Sequence, residues 1–190
     1  MSSEAEAAAF RRVYEAHVRF VWRTLLRFGV PERDVPDAVQ EVFLVVHRRL
    51  PELQGAATLG WIFATCRRVA SDRRRLAHAR RELPSGDATR GDAAPVADDA
   101  PDAAALVDHQ RARALLESIL LRMPEPQREV FVLFELEGLS GDEIADVLGI
   151  PVGTVRSRLR LARQQFQQAV ARARTRNADG PAVVLRTREV

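Results

Sequence analysis

Hydrophobic residues recur every three or four positions along much of the chain, which is the spacing of one face of an α-helix. The pattern predicts a first helix between Phe10 and Gly29, a second over about Asp34–Leu50 and a third after the short stretch 54–60. The residues predicted to face a shared core are Phe10, Val13, Tyr14, His17, Val21, Leu25, Phe28, Val35, Ala38, Val39, Val42, Phe43, Val46, Leu59, Ile62, Phe63, Cys66, Val69, Ala70 and Leu76. Three such helices make one compact module.

The pattern stops over residues 84–105, where proline, glycine, alanine and aspartate leave Val96 as the one large apolar residue. So little apolar surface cannot offset the entropy lost on ordering, and a flexible linker is predicted. Helical spacing returns over Leu106–Met123, which two prolines are expected to stop. It returns again over Gln127–Glu137, which Gly138 is expected to end.

The last two predicted helices form a helix-turn-helix. Ser140 is the predicted N-cap, with Glu143 as its capping-box partner. This helix is expected to end at Gly149, and the final helix to run over about Thr154–Ala173. The chain is therefore predicted to be all-α, with two small helical domains joined by a flexible linker. The predicted segments are a helical domain at 1–82, the linker at 83–107, the helix-turn-helix domain at 108–176 and a flexible tail at 177–190.

The helix-turn-helix carries the sharpest chemical signal. Ala145 is small enough to let two helices approach, Gly149 makes the turn, and Val155 begins a packed stripe. The stripe is predicted as Val155, Leu159, Ala162 and Phe166, and a flanking basic face as Arg156, Arg160 and Arg163. A helix of this kind lies in the major groove of DNA, where Arg156 and Ser157 are the strongest predictions for base contacts. The alternative is an ordinary helical hairpin with a solvated arginine face.

Charge is more segregated along the chain than its total suggests. The 29 basic residues are all arginine and, against 26 acidic residues, leave a net charge of only +3. The net charge is +5 over residues 1–82, −5 over 83–110 and +3 over 111–176. Two basic blocks of folded size indicate a polyanionic partner, although this imbalance alone does not separate nucleic acid from an acidic protein.

The third helix is the most basic stretch of the chain. It carries seven arginines within 15 residues, 67–81, opposed by Asp72 alone. Such a density suits contacts to phosphate, which give affinity rather than sequence reading. Trp61 and Phe63, just before the arginines, either stack on unpaired bases or belong to the core, and their helical spacing favours the core.

Several classes of protein are excluded by what the sequence lacks. Cys66 is the single cysteine, which excludes an internal disulfide, fits a reducing compartment and favours a buried core thiol. The histidines His17, His47, His78 and His109 lack the spacing of metal ligands, so no metal is expected. With no nucleotide-binding fingerprint and no catalytic constellation, neither an enzyme, a cofactor nor a small-molecule substrate is predicted. No secretory signal is recognisable and the apolar runs are too short to span a membrane, so the expected compartment is the cytoplasm.

Two sets of motifs stand in a recognisable order. The first module holds D-x-x-Q-E-x-F at Asp37–Phe43, W-I-F at Trp61–Phe63 and D-x-x-R at Asp72–Arg75. The second holds P-x-x-x-R-E-V-F at Pro124–Phe131 and G-T-V-R-S-R-L at Gly153–Leu159. With these motifs the chain resembles, over about residues 10–173, the sigma-70 family of bacterial RNA polymerase sigma factors. Within that family it resembles the small extracytoplasmic-function group, with regions two and four in order.

The resemblance implies a role for each surface. It assigns binding of core polymerase, through the clamp helices of its largest subunits, to Asp37, Gln40, Glu41 and Phe43. It assigns capture of a flipped base and of single-stranded DNA at the minus-10 element to Gln54, Thr58, Trp61, Arg67, Arg68, Arg73 and Arg74. It assigns binding of the minus-35 duplex to Ser140, Thr154, Arg156, Ser157, Arg158, Arg160 and Arg163. The acidic linker would lie near the active-site cleft and RNA exit path of the polymerase.

The function implied by the resemblance is that of a non-enzymatic, dissociable specificity subunit. It would recruit core RNA polymerase to promoter DNA, help to melt the minus-10 element and be held inactive by an anti-sigma factor. The alternative is a stand-alone helix-turn-helix regulator that binds duplex DNA as a dimer without polymerase. That alternative leaves the motif at Asp37–Phe43 unexplained.

Overall fold

A computed structural model describes the chain over residues 3–50, 57–82 and 103–176. Within these ranges the chain forms seven α-helices and no β-strand, which confirms the predicted all-α class. The chain divides into two compact units, Met1–Ala93 and Ala94–Val190. Most of the predicted linker at 83–107 and the whole predicted tail at 177–190 lie outside the described residues, so the domain boundaries stay predictions.

The first unit contains three long helices. They are α1 (Ser3–Arg27), α2 (Val35–Arg49), which follows a short 3-10 turn, and α3 (Ala57–Glu82). Helix α2 lies within one residue of its predicted range at each end, and Pro36 occupies its first turn as expected. Helix α1 begins earlier than predicted, because its first turns are rich in alanine and glutamate, which form helix without an apolar stripe.

The core of the first unit follows the predicted period. All six residues predicted to face inward from α2 are buried, and Phe63 of α3 packs edge to face on Phe28, with ring centroids 5.7 Å apart. Two predictions are wrong: Leu76 is 57 % exposed and Tyr14 is 40 % exposed. Leu76 lies at the edge of its stripe, whereas Tyr14 lines a groove that stays open between α1 and α2. The Tyr14 ring still contacts Phe43, with centroids 4.6 Å apart.

The second unit contains four helices. They are α4 (Ala103–Arg122), α5 (Glu125–Phe131), α6 (Gly141–Leu148) and α7 (Val152–Arg176). Helix α4 begins inside the range predicted as linker, because alanine has the highest helix propensity and extends the helix over residues 103–105.

The junction after α4 differs from its prediction in two details. Pro126 does not stop a helix but lies in the first turn of α5, where proline is tolerated. The helix predicted over Gln127–Glu137 is α5 continued by a π-turn at Val132–Leu136, with the Glu137 N–H donating to the Val132 carbonyl across 3.0 Å. The wider turn carries Glu135, whose carboxylate faces α7.

The core of the second unit joins α5 to α7. The predicted stripe of α7 is buried throughout, and Phe166 stacks on Phe131 of α5 with centroids 5.0 Å apart. The predicted capping box is present at the start of α6, and Gly149 ends that helix with a φ of 63°. A residue with a side chain is strained at that φ, which explains the glycine of the turn.

Candidate protein and nucleic-acid interfaces

The first half of the exposed face of α2 is acidic, and Arg48 follows on the same face. Asp37 and Gln40 are exposed, and the side chain of Glu41 is 45 % exposed. Phe43, predicted for the same interface, is 4 % exposed and packs in the core against Phe10 and Tyr14. The structure therefore brings three of the four predicted residues to one surface, and Phe43 supports that surface from below.

An apolar groove, which the sequence did not predict, borders the acidic face. The cavity of about 420 Å³ lies between α1 and α2. Its lining consists of Phe10, Tyr14, Pro36, Val39, Gln40, Phe43, Leu44 and His47. Leu44, on the rim, is 52 % exposed. A groove of this size beside carboxylates suits an apolar side chain of a protein partner flanked by basic residues. Leu44 was the available signal, since it is an apolar residue outside the packed stripe of α2.

The arginines of α3 do not form one uniform face. Arg73 donates to the carboxylate of Glu41 on α2 across 3.1 Å, and Arg74 donates to the carbonyl of Phe28 across 3.0 Å. Arg75 pairs with Asp72 on the same helix. Three members of the basic stretch therefore have protein partners, whereas Arg68 is exposed. The side chains of Arg80 and Arg81 lie outside the described residues.

The start of α3 was predicted to hold unpaired bases. Phe63 is fully buried, so it belongs to the core, whereas Trp61 is half-buried. Thr58 is largely buried, and Gln54 lies outside the described residues. Arg67 is half-buried. Arg68 is the one exposed residue among the described members of this predicted site, and base contacts there stay a prediction.

The first turns of α7 present the predicted reading surface. Arg156, Ser157 and Arg160 are exposed, while Thr154 and Arg158 are half-buried. The hydroxyl of Ser157 donates to the Thr154 carbonyl across 3.0 Å, which leaves its oxygen able to accept from a base or donor group. The buried stripe of Val155 and its neighbours fixes this helix against the unit, so the exposed face is held in place without DNA.

Arg163 stands apart from the exposed arginines of α7. Its Nε donates to Oε1 of Glu135 across 2.6 Å, and its guanidinium lies 5.1 Å from the centroid of the Phe134 ring. Glu135 is almost completely buried, at 4 % side-chain exposure. A DNA contact by Arg163 stays a prediction for a guanidinium that already pairs with Glu135. Residues 28 positions apart give no pattern in the sequence that would have revealed the pair.

Ser140 and Glu143 form reciprocal hydrogen bonds at the start of α6. The backbone N–H and the hydroxyl of Ser140 donate to Oε2 of Glu143 across 2.7 and 2.8 Å, and the Glu143 N–H donates to the Ser140 hydroxyl across 3.3 Å. The backbone hydrogen bond from Ser140, followed by that from its hydroxyl, lowers the pKa of Glu143. The predicted DNA contact of Ser140 stays a prediction for a hydroxyl that already serves the cap.

Cys66 lies in the core of the first unit. Burial raises the pKa of the Cys66 thiol to about 12, which confirms Cys66 as a core residue. No group of three or more potential ligands is arranged for a metal ion among the residues described. No helix in the described ranges has the length and apolar character needed to cross a membrane.

The two units match two family descriptions. Residues 13–81 match the description "Sigma-70 region 2", and residues 113–166 match "Sigma-70, region 4". The ECF RNA polymerase sigma factor SigE of Mycolicibacterium smegmatis is 30 % identical over 170 residues, which cover 89 % of this chain and 64 % of the relative. The ECF RNA polymerase sigma-E factor of Escherichia coli K12 is 34 % identical over 151 residues, which cover 74 % of this chain and 76 % of the relative.

Solved structures share the fold. CnrH, in complex with the cytosolic domain of CnrY, matches with a TM-score of 0.62 and 24 % identity, over 88 % of this chain and 95 % of that one. The sigma factor RpoE from Bartonella quintana, in complex with the anti-sigma factor NepR, matches with a TM-score of 0.60 and 16 % identity. That match covers 85 % of this chain and 96 % of the other. At these identities the likeness establishes the fold alone.

Proposed function

Because the chain belongs to the extracytoplasmic-function group of the sigma-70 family of RNA polymerase sigma factors, we propose that its two units divide promoter recognition between them. A sigma factor directs RNA polymerase to promoters. The observation that carries the proposal is that regions 2 and 4 fall on separate units, and that each unit exposes charge of the sign its task requires.

The first unit binds core polymerase through α2. Asp37, Gln40 and Glu41 present carboxylate and amide groups to the arginines of the polymerase clamp helices. The groove between α1 and α2 supports this assignment, because a buried apolar contact beside charged pairs is the usual anatomy of a protein interface.

The first unit also holds the melted minus-10 element along α3. Trp61 offers a ring on which an unpaired base can stack, and Arg68 offers an exposed guanidinium to phosphate. Arg67, Arg73 and Arg74 contribute to the same basic stretch from less exposed positions. Flipping and unstacking a base costs a few kcal/mol, which such stacking and phosphate contacts offset.

The second unit reads the minus-35 duplex with α7. Arg156, Ser157 and Arg160 lie exposed on the first turns of the second helix of the helix-turn-helix, the part of such a helix that contacts base edges. The packing of α7 on α5 supports this role, because a rigid helix enters the groove without an ordering cost.

Three further features of the chain follow from this function. The chain acts as a non-catalytic subunit, with the chemistry supplied by the polymerase, and it works in the cytoplasm, where the bacterial chromosome lies. An anti-sigma factor is its expected inhibitor. Two similar folds have been solved with partners bound, one of them named an anti-sigma factor, which supports that expectation.

Run-off transcription tests the proposal. Core polymerase is given pooled promoter fragments from the source genome, with and without the purified chain. Transcripts that require the chain, and that begin at a fixed distance from a shared two-block motif, are the expected result. If no such transcript forms while the chain alone retards duplex DNA, the chain is instead a free-standing helix-turn-helix regulator.

A further inference from the structure

Leu161 is an apolar residue on the exposed side of α7. It is 38 % exposed, and it is the only large hydrophobic side chain that α7 exposes within its described length. The other exposed side chains around it are arginine, serine and glutamine. Since single exposed leucines are common on protein surfaces, exposure alone does not indicate a binding role. The position of Leu161 on the helix does indicate one.

Leu161 shares a helix face with Ser157, one of the proposed reading residues. Positions four and seven residues after Ser157 are Leu161 and Gln164, and this spacing aligns all three side chains along one face. The buried stripe of α7 lies on the opposite side of the helix, so it holds this face away from the protein core. A duplex that contacts Ser157 and Arg160 therefore brings its groove against Leu161 as well.

The chemistry of the groove limits what a leucine can recognise there. A leucine side chain cannot bond to a phosphate or to the donor and acceptor groups of base edges. The C5 methyl of thymine is the apolar group that base pairs present in the major groove. We propose that Leu161 contacts the methyl group of one thymine in the minus-35 element, and so makes this chain selective for thymine at that position. The inference rests on the proposed function, because it needs α7 in the major groove.

Replacement of thymine by uracil tests this contact, because it removes the methyl group and leaves the base-pairing edge unchanged. Holoenzyme reconstituted from core polymerase and the full chain is bound to a promoter obtained from the run-off experiment. Each thymine of the minus-35 block, on either strand, is replaced by uracil in turn. For the wild-type chain, one replacement should weaken binding about fourfold, the factor expected for one methyl group returned to water.

Two variants assign the effect to a side chain. Leu161→Ala should bind thymine and uracil promoters equally. The matched control is Leu121→Ala, which removes an exposed leucine of α4 in the same unit and should preserve the fourfold preference. Both residues lie on the surface of a helix, so both variants are expected to fold.

Three results would overturn the inference. They are a minus-35 block without thymine, a wild-type chain indifferent to every replacement, or a preference for thymine that persists in Leu161→Ala. In each of these cases specific promoter binding survives, so the proposed function stands without Leu161 as a reader. If the wild-type holoenzyme binds no promoter specifically, the proposed function fails and this inference fails with it.

Discussion

Each unit holds an arginine of its proposed DNA-binding helix against a carboxylate, and the two ion pairs differ in burial. In the first unit, Arg73 of α3 meets Glu41 of α2 across 3.1 Å, with 45 % of the Glu41 side chain in solvent. In the second unit, Arg163 of α7 meets Glu135 across 2.6 Å, with Glu135 only 4 % exposed. The two arginines are about equally exposed, at 25 % and 23 %, so the difference in burial lies at the carboxylates.

The difference in burial decides which pair can exchange partners. A solvent-exposed ion pair contributes about 0–1 kcal/mol and is screened by salt. A buried carboxylate that loses its partner costs several kcal/mol. Arg73 can therefore exchange Glu41 for a DNA phosphate, and Glu41 can exchange Arg73 for a polymerase arginine, at little cost in free energy. The pair of Arg163 and Glu135 instead fixes α7 before DNA arrives.

Charge reversal on α2 should give the largest effect and tests the exchangeable side of the comparison. A chain with Asp37→Arg and Glu41→Arg should no longer co-purify with core polymerase, because like charges would face the arginines of the clamp helices. The control reverses Glu4 and Glu15 on α1, which changes the net charge equally and should leave co-purification intact. Circular dichroism checks that helicity is kept. Co-purification of the α2 variant would locate the polymerase interface elsewhere.

Removal of the buried ion pair tests whether it fixes α7 in the second unit. Arg163→Ala should lower the free energy of unfolding of the second unit by about 3 kcal/mol, the lower end of what breaking a buried pair costs. Both tryptophans, Trp22 and Trp61, lie in the first unit, so their fluorescence follows that unit alone. The variant should shift the unfolding transition seen by circular dichroism but leave the fluorescence transition in place. Arg160→Ala, at an exposed position, should change the stability by less than about 0.5 kcal/mol. Equal effects of the two variants would contradict the comparison.

The preformed reading surface makes a separate prediction. Arg156→Ala should weaken binding of the minus-35 duplex by about 1–3 kcal/mol and relax the choice of one base pair, because an arginine contact to guanine is lost. Binding is measured by competition with duplexes altered at single positions. Unchanged affinity and selectivity would remove Arg156 from the reading surface.

The smallest expected effect sharpens the comparison further. Glu41→Gln removes the ion pair and frees Arg73, so the free chain should bind a single-stranded minus-10 oligonucleotide about two- to threefold more tightly, in line with an exposed pair. Asp37→Asn makes the same charge change at a carboxylate for which the described residues of α3 provide no ion pair, and it should have less effect. At 1 M salt the difference between the two variants should vanish. If both variants strengthen binding equally, Arg73 is not restrained by Glu41.

The sequence predicted what depends on neighbours along the chain. The predictions of the inward face of α2 and of the capping box of Ser140 and Glu143 were correct. Both depend on residues only a few positions apart, through the helical period and through N-terminal capping. The residues matched by regions 2 and 4 also lie where the motifs predicted.

What the sequence missed depends on contacts between helices. The partners of Arg73 and Arg163 lie 32 and 28 residues away, and no local pattern marks them. The assignment of Phe43 to the polymerase interface stays a prediction, for a residue that is buried and lines the groove from the core. The groove between α1 and α2 forms only when the two helices have packed. Helical periodicity therefore predicts some of the residues that line the cavity, but not the cavity itself.

The rate at which the buried thiol of Cys66 is labelled can report how often the first unit opens. The chain has one cysteine, its side chain is fully buried in α3, and burial raises its pKa to about 12, so the reactive thiolate is scarce while the unit is closed. A thiol reagent can reach it when α3 separates from α1 and α2, and the rate of labelling then measures how often that separation occurs. The second unit has no thiol and is silent in the same reaction. Adding polymerase or single-stranded DNA should slow the labelling of Cys66, and the slowing should be greater for the partner that stabilises the closed first unit more.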